Sequence, residues 1–152
     1  MIEEVKVQDA ELLKTISRDA ILESVQVDEA LKQEIIKDTF NHIDLYISCD
    51  EHIFLKYINS QNEILGFILL RDAWNLSDLF VMPSAHGKGI GRELFSSAVK
   101  MATSSDNRGY IRVNSSLNAV TFYRKLGFED FKPERPFPDY VAPLIYQLKN
   151  VV

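Results

Sequence analysis

The 152 residues hold one cysteine, Cys49, so no internal disulfide can form and the core alone must hold the fold. Long apolar runs are missing too: the longest, such as Ile64 to Leu70, fall far short of the roughly 20 residues that a membrane-spanning helix needs. Basic residues are in the minority, 17 Lys and Arg against 22 Asp and Glu, and nowhere form a run; a net charge of -5 argues against a nucleic acid partner. That charge mildly favours a cationic substrate and equally serves solubility. Met1-Ile2-Glu3-Glu4 is acidic where a secretory signal is basic and then apolar, which with the lone cysteine gives the expectation of a cytoplasmic protein. Only 6 glycines and 5 prolines, beside 46% hydrophobic and 26% charged residues, exclude fibrous and disordered classes. No His, Cys, Asp and Glu cluster has metal-ligand spacing, so no metal is expected, and Cys49 reads as a small buried residue. The length suits one domain, residues 1–152, without repeat or linker.

Ile2 to Val7 alternates as a half-buried strand, and Asp9 offers an N-cap for a helix from Ala10 to Ala20. Asp28 caps a second helix that ends near Cys49, its face marked by Leu31, Ile35, Ile36, Phe40, Ile43 and Ile47. Ile53 to Ile58 and Ile64 to Leu70 form a hairpin across Asn59-Ser60-Gln61-Asn62, and Trp74 to Met82 adds a third antiparallel strand. A helix follows with Ile90, Leu94, Phe95, Ala98 and Met101 on one face. Then come a strand Arg108 to Asn114, a short helix Asn118 to Leu126 closed by Gly127, and strands Phe128 to Lys132 and Leu144 to Leu148. Pro133, Pro136, Pro138 and Pro143 make the segment before the last strand an irregular loop that could border a substrate. The order βααβββαβαβ implies a mixed α/β sheet with helices on both faces.

The chemistry is concentrated at His86-Gly87-Lys88-Gly89-Ile90-Gly91-Arg92, between a strand and a helix start. Backbone N–H groups there lack intrahelical partners, and the helix dipole is positive, so the place binds phosphate. Glycines let a pyrophosphate approach the amides, and Lys88 and Arg92 add charge. Alone, G-x-G-x-G is equally a tight turn whose glycines serve only backbone conformation. Arg92 stands where a dinucleotide fingerprint needs glycine, and Gly89 where a P-loop needs Ser or Thr.

Leu79-Phe80-Val81-Met82-Pro83 followed by His86 to Leu94 resembles the coenzyme-binding motif of the GNAT acetyltransferases, Q/R-x-x-G-x-G/A, with His86 in place of Gln or Arg. Asn114, Asn118-Ala119-Val120 and Phe122 to Phe128 are similar to the N-x-x-A-x-x-F-Y-x-x-x-G-F helix of the same superfamily. The two signatures and the element order extend the resemblance over roughly the whole chain, although the first 50 residues carry no specific motif. The resemblance implies a GNAT-like fold, a mostly antiparallel sheet of about seven strands between helices. It implies acetyl-CoA as cofactor, held by Phe80, Val81 and Met82 along the pantetheine, by His86 to Arg92 at the pyrophosphate, and by Asn114, Asn118 and Tyr123.

The activity so implied is direct acetyl transfer to a primary amine in a ternary complex. The acceptor is a small-molecule amine, or the N-terminus or a lysine of a protein; a homodimer is compatible with the family. Tyr123 matches the family's general acid, though an aromatic there also suits helix packing. Asp78 is the first candidate for a base acting through water, against the usual fate of a strand carboxylate, facing solvent or pairing with a neighbour. Asn118 serves the pantetheine or caps the short helix. His86 is placed on the phosphate side facing solvent, and His42 and His52 belong to no motif. The other reading is a non-catalytic acyl-CoA-binding regulatory module with the same fold.

Overall fold

The computed structural model describes residues 1–148. Strand β1 (Ile2–Glu4) stops short of Val7, because residues Val7–Asp9 turn into a short 3-10 helix. Asp9 closes that turn by accepting the Lys6 N–H at 2.8 Å, and has helical backbone angles, so it does not cap the helix that follows. That helix, α1 (Ala10–Ser24), runs a turn beyond its expected end at Ala20. Helix α2 (Glu29–Tyr46) is capped as its sequence indicates, Asp28 Oδ1 accepting from Leu31 N–H at 2.8 Å, and ends at Tyr46, before Cys49.

Strands β2 (Ile53–Ile58), β3 (Ile64–Arg71) and β4 (Asn75–Val81) form the expected antiparallel meander. Asn59 shapes the first turn, its side-chain oxygen accepting from Gln61 and Glu63 N–H. Helix α3 (Ile90–Thr103) leads to β5 (Tyr110–Ser116), shifted two residues late because Asn107 and Gly109 still belong to the turn. The expected helix from Asn118 divides into a 3-10 turn (Leu117–Ala119) and α4 (Val120–Leu126); no side-chain cap is present, so the capping reading of Asn118 fails. Strand β6 (Glu129–Asp130) shrinks to two residues, while β7 (Val141–Gln147) begins earlier than expected and takes in Pro143. Pro143 is thus strand, not loop: it pairs with Asn114, and its carbonyl accepts from Phe131 N–H.

The seven strands lie in the order β1-β2-β3-β4-β5-β7-β6, all neighbours antiparallel except β4 and β5. Alternation along β2 and β3 gives two apolar layers. Ile53, Leu55, Ile68 and Leu70 pack with Leu94, Phe95 and Ala98 of α3, while Phe54, Phe67 and Leu69 pack with Leu13 and Ile16 of α1 and Ile43 of α2. The family-like fold expected from sequence is therefore the observed one, a seven-stranded mixed sheet between two pairs of helices.

Candidate active site

Two features of β4 open the sheet. Its register against β3 slips between Leu69↔Asp78 and Leu70↔Leu76, so Ser77 is an extra residue, a bulge that bends the strand. The bulge also puts Leu76 and Asp78 on opposite faces: Leu76 joins the α3 layer, and Asp78, across from Leu69, points toward α2. Against β5, moreover, β4 pairs only at Asn75↔Arg112 and Leu76↔Val113, after which the two parallel strands part.

The free main-chain groups along that split follow from strand alternation. Met82 N–H donates to Leu65 O at 2.8 Å, so Met82 faces β3, and Val81, one residue earlier, turns its N–H and carbonyl to the open side. The Phe80 carbonyl again faces β3, so close to Gly66 that a Cβ there would lie 2.9 Å from it. Of the three residues expected to align the pantetheine, Val81 alone has open backbone groups, and its carbonyl takes a 2.8 Å hydrogen bond from the ring of His86. His86 therefore ties the end of β4 to the loop.

In the loop, Gly87 and Gly89 both have φ of 80°, and a Cβ on either would meet nothing within 4 Å; backbone conformation and open space set these two residues. Gly91 has another reason, since a Cβ there would lie 3.0 Å from Phe122 Cζ. The first bond of α3 runs from Glu93 N–H to Gly89 O, leaving the amides of Ile90, Gly91 and Arg92 without intrahelical acceptors. They open on a groove of about 710 Å³ whose charged walls, among the described residues, are Arg92 and Lys125, with His86 beside them and no carboxylate. A cationic groove over a glycine-bare helix start fits a diphosphate.

Beside the groove, toward α2, lies a cavity of about 280 Å³ with the opposite character. Among the described residues, Asp38, Asp78 and His42 are its titratable walls apart from two tyrosines, and neither Lys nor Arg lines it. Groove and cavity share Leu79, Phe80, Ser116 and Tyr123 as walls, so they meet beside the split. Tyr123 is 6% exposed, its ring against Phe122 and Phe128. Burial, and secondarily the charge of Asp78, push its phenol above the ordinary value. Asp78 is 3% exposed, held by His42 Nδ1 at 3.1 Å and by the Ser77 hydroxyl at 3.1 Å. The hydrogen bond to Asp78 pushes the His42 imidazole up, against burial, which pushes it down.

A family model for the acetyltransferase (GNAT) domain matches residues 12–138. The chain belongs to the GNAT acetyltransferase family. It is accordingly an acyltransferase, with acetyl-CoA as its cofactor. Solved structures agree in fold. A GCN5-related N-acetyltransferase of Rhodopseudomonas palustris has a TM-score of 0.79 at 20% identity, with 97% of this chain and 95% of that one covered. The PaiA N-acetyltransferase of Thermoplasma acidophilum in complex with coenzyme A has a TM-score of 0.79 at 21% identity, covering 97% and 98%. The spermidine N-acetyltransferase of Vibrio cholerae, in complex with coenzyme A and spermine, follows at 0.68 and 16%, covering 97% and 95%. No curated protein matches the chain.

Within this acetyltransferase the residues expected at the coenzyme divide. Phe80, Val81, His86, Gly87, Gly89, Ile90, Gly91, Arg92, Asn118 and Tyr123 line the groove. Lys88 is exposed outside its lining, Met82 faces β3, and Asn114 lines the acidic cavity instead. Asp78 is on the cavity wall, buried and not facing solvent. Sequence reasoning missed Lys125, whose place on the groove the helix repeat of α4 could have indicated, and His42, for which one turn of α2 after Asp38 was the only signal. The proline-bearing segment does border the cavity, through Tyr140 and Val141. Among the described residues, no helix is long and apolar enough to cross a membrane.

Proposed function

We propose that this acetyltransferase carries an acetyl group directly to a small primary amine that lacks a carboxylate, with both substrates bound together. One observation carries the reading: a cationic groove and an acidic cavity meet at Tyr123. Acetyl-CoA supplies the activated acetyl thioester. The Arg92 and Lys125 side chains and the amides at the start of α3 bind its phosphates, and the open Val81 N–H polarises the acetyl carbonyl as negative charge develops on the oxygen. Tyr123 keeps its proton at neutral pH and gives it to the departing sulfur. The end of the cavity that holds Asp78 receives the ammonium and takes its proton. A volume of about 280 Å³ suits a small molecule, and with neither Lys nor Arg among the described residues of the walls a substrate carboxylate would be unpaired next to Asp38 and Asp78.

The first test is a thermal melt. Acetyl-CoA at ~100 times its dissociation constant adds ~2.7 kcal/mol to the folded state, so Tm should rise by several degrees; no rise would sink the cofactor site. Coenzyme release is then followed with paired acceptors, each amine against the α-amino acid of the same side chain. The amine is expected to exceed its amino acid in kcat/KM by at least about tenfold, a difference of ~1.4 kcal/mol. Equal rates would overturn the carboxylate exclusion, and acetyl-CoA binding without turnover of any amine would favour the non-catalytic module.

A further inference from the structure

We propose that the proton acceptor in the cavity is His42, and that Asp78 acts through the imidazole, not on the amine. The inference rests on the reading of the cavity as the acceptor site. His42 projects from α2 with Nδ1 3.1 Å from Asp78 Oδ2 and 3.4 Å from Oδ1. A carboxylate offers only acceptor oxygens, so Nδ1 carries the proton of the neutral ring, and the lone pair is on Nε2. The two partners differ sharply in access: the His42 side chain is 31% exposed and the Asp78 side chain 3%. The carboxylate is sealed between the imidazole and the Ser77 hydroxyl, and the ring is the part of the pair that an amine can reach. The bulge at Ser77 is what turns Asp78 toward α2, so the pair depends on the same irregularity that bends β4.

The charges around His42 are set as a base requires. Asp78 on β4 and Asp38 one turn earlier on α2 favour its protonation, Arg71 at the end of β3 opposes it, and the Tyr46 ring lies 6.4 Å away on α2. In the step, Nε2 takes one proton from the ammonium and releases it to solvent. The freed lone pair forms the nitrogen–carbon bond to the acetyl group while the carbon–sulfur bond breaks, its electrons remaining with sulfur. Tyr123 gives sulfur its proton, and the second proton leaving the nitrogen restores the phenol.

The test compares wild type, His42→Gln and Asp78→Asn in kcat/KM against pH, with two amines whose ammonium pKa values differ. Wild type should show an acid limb raised from the ordinary imidazole value, at the same pH for both amines. His42→Gln should lose that limb and about 10²-fold in kcat/KM, with Tm and the acetyl-CoA shift retained. In Asp78→Asn the limb should move to lower pH, because the carboxylate hydrogen bond that raises the imidazole, and with it the charge, is gone. A limb that follows the amine, or a His42→Gln profile like wild type, overturns the proposal; a fall in Tm alone would mark the pair as structural. If wild type acetylates no amine, the parent reading falls separately. NMR then decides for His42: an amine added to the protein with coenzyme A should shift its ring resonances, and unmoved resonances overturn the proposal.

Discussion

Tyr123→Phe is expected to lower kcat by about 10²- to 10⁴-fold, the range that a positioned acid contributes, while acetyl-CoA still raises Tm. The ring does the packing, edge-on to Phe122 and Phe128 with centroids 5.3 Å from each, and phenylalanine keeps it. What the variant removes is one hydroxyl at the junction of groove and cavity. Because burial and Asp78 both hold the phenol above its ordinary value, the tyrosine stays protonated across the working pH range. The loss should therefore be uniform with pH, unlike the loss at His42, which should be largest above the acid limb and shrink as pH falls through it. Steady-state kinetics with saturating amine measure kcat, and a melt with acetyl-CoA measures binding. A Tyr123→Phe enzyme with wild-type kcat would leave the ring as packing and move the acid elsewhere.

How far the sequence could be read follows how local each signal was. The loop from His86 to Arg92 was legible because its determinants are neighbours in the chain: alternating glycines, a strand before and an apolar helix face after. The elements themselves were legible for the same reason, since periodicity and Asp28, Asn59 and Gly127 act within a few residues. Ends were harder wherever a distant partner decided them, as in β7, where pairing with β5 draws Pro143 into the sheet although proline donates no ladder bond. The acidic cavity was illegible. Its walls come from α1, α2, β4, β5, α4 and the segment leading into β7, and nothing in the sequence near His42 records that Asp78, 36 residues on, would face it. A bulge at Ser77 sets that encounter, and a one-residue slip has no composition to betray it. Likewise, three neighbouring residues looked equivalent along the pantetheine, and only the hydrogen bond of Met82 to Leu65 separates Val81 from the others.

Asp9→Ala is expected to cost about 3–5 kcal/mol of stability, as breaking one side of a buried ion pair does. The sequence suggested an N-cap; the structure buries Asp9 to 7% exposure and sets its Oδ2 2.7 Å from the ammonium of Lys56, itself 6% exposed on β2. Removing the carboxylate leaves an ammonium facing the α1 layer with no counter-charge, and also frees the Lys6 N–H that shapes the turn before α1. For a chain of this size each kcal/mol lowers Tm by about 2–4 °C, so a drop on the order of 10 °C should appear in a melt. The partner experiment separates charge from packing. Asp9→Ala combined with Lys56→Met should recover much of the loss, because a buried pair replaced by apolar groups is often neutral or better. A single variant within about 1 kcal/mol of wild type would mean that water reaches Lys56 and that the pair behaves as a surface one. The consequence extends to the site, since α1 carries Ala20 and Ser24 to the groove wall and Ile21 to the cavity. The Asp9→Ala protein should accordingly gain a smaller acetyl-CoA shift than wild type, and the double variant should regain it.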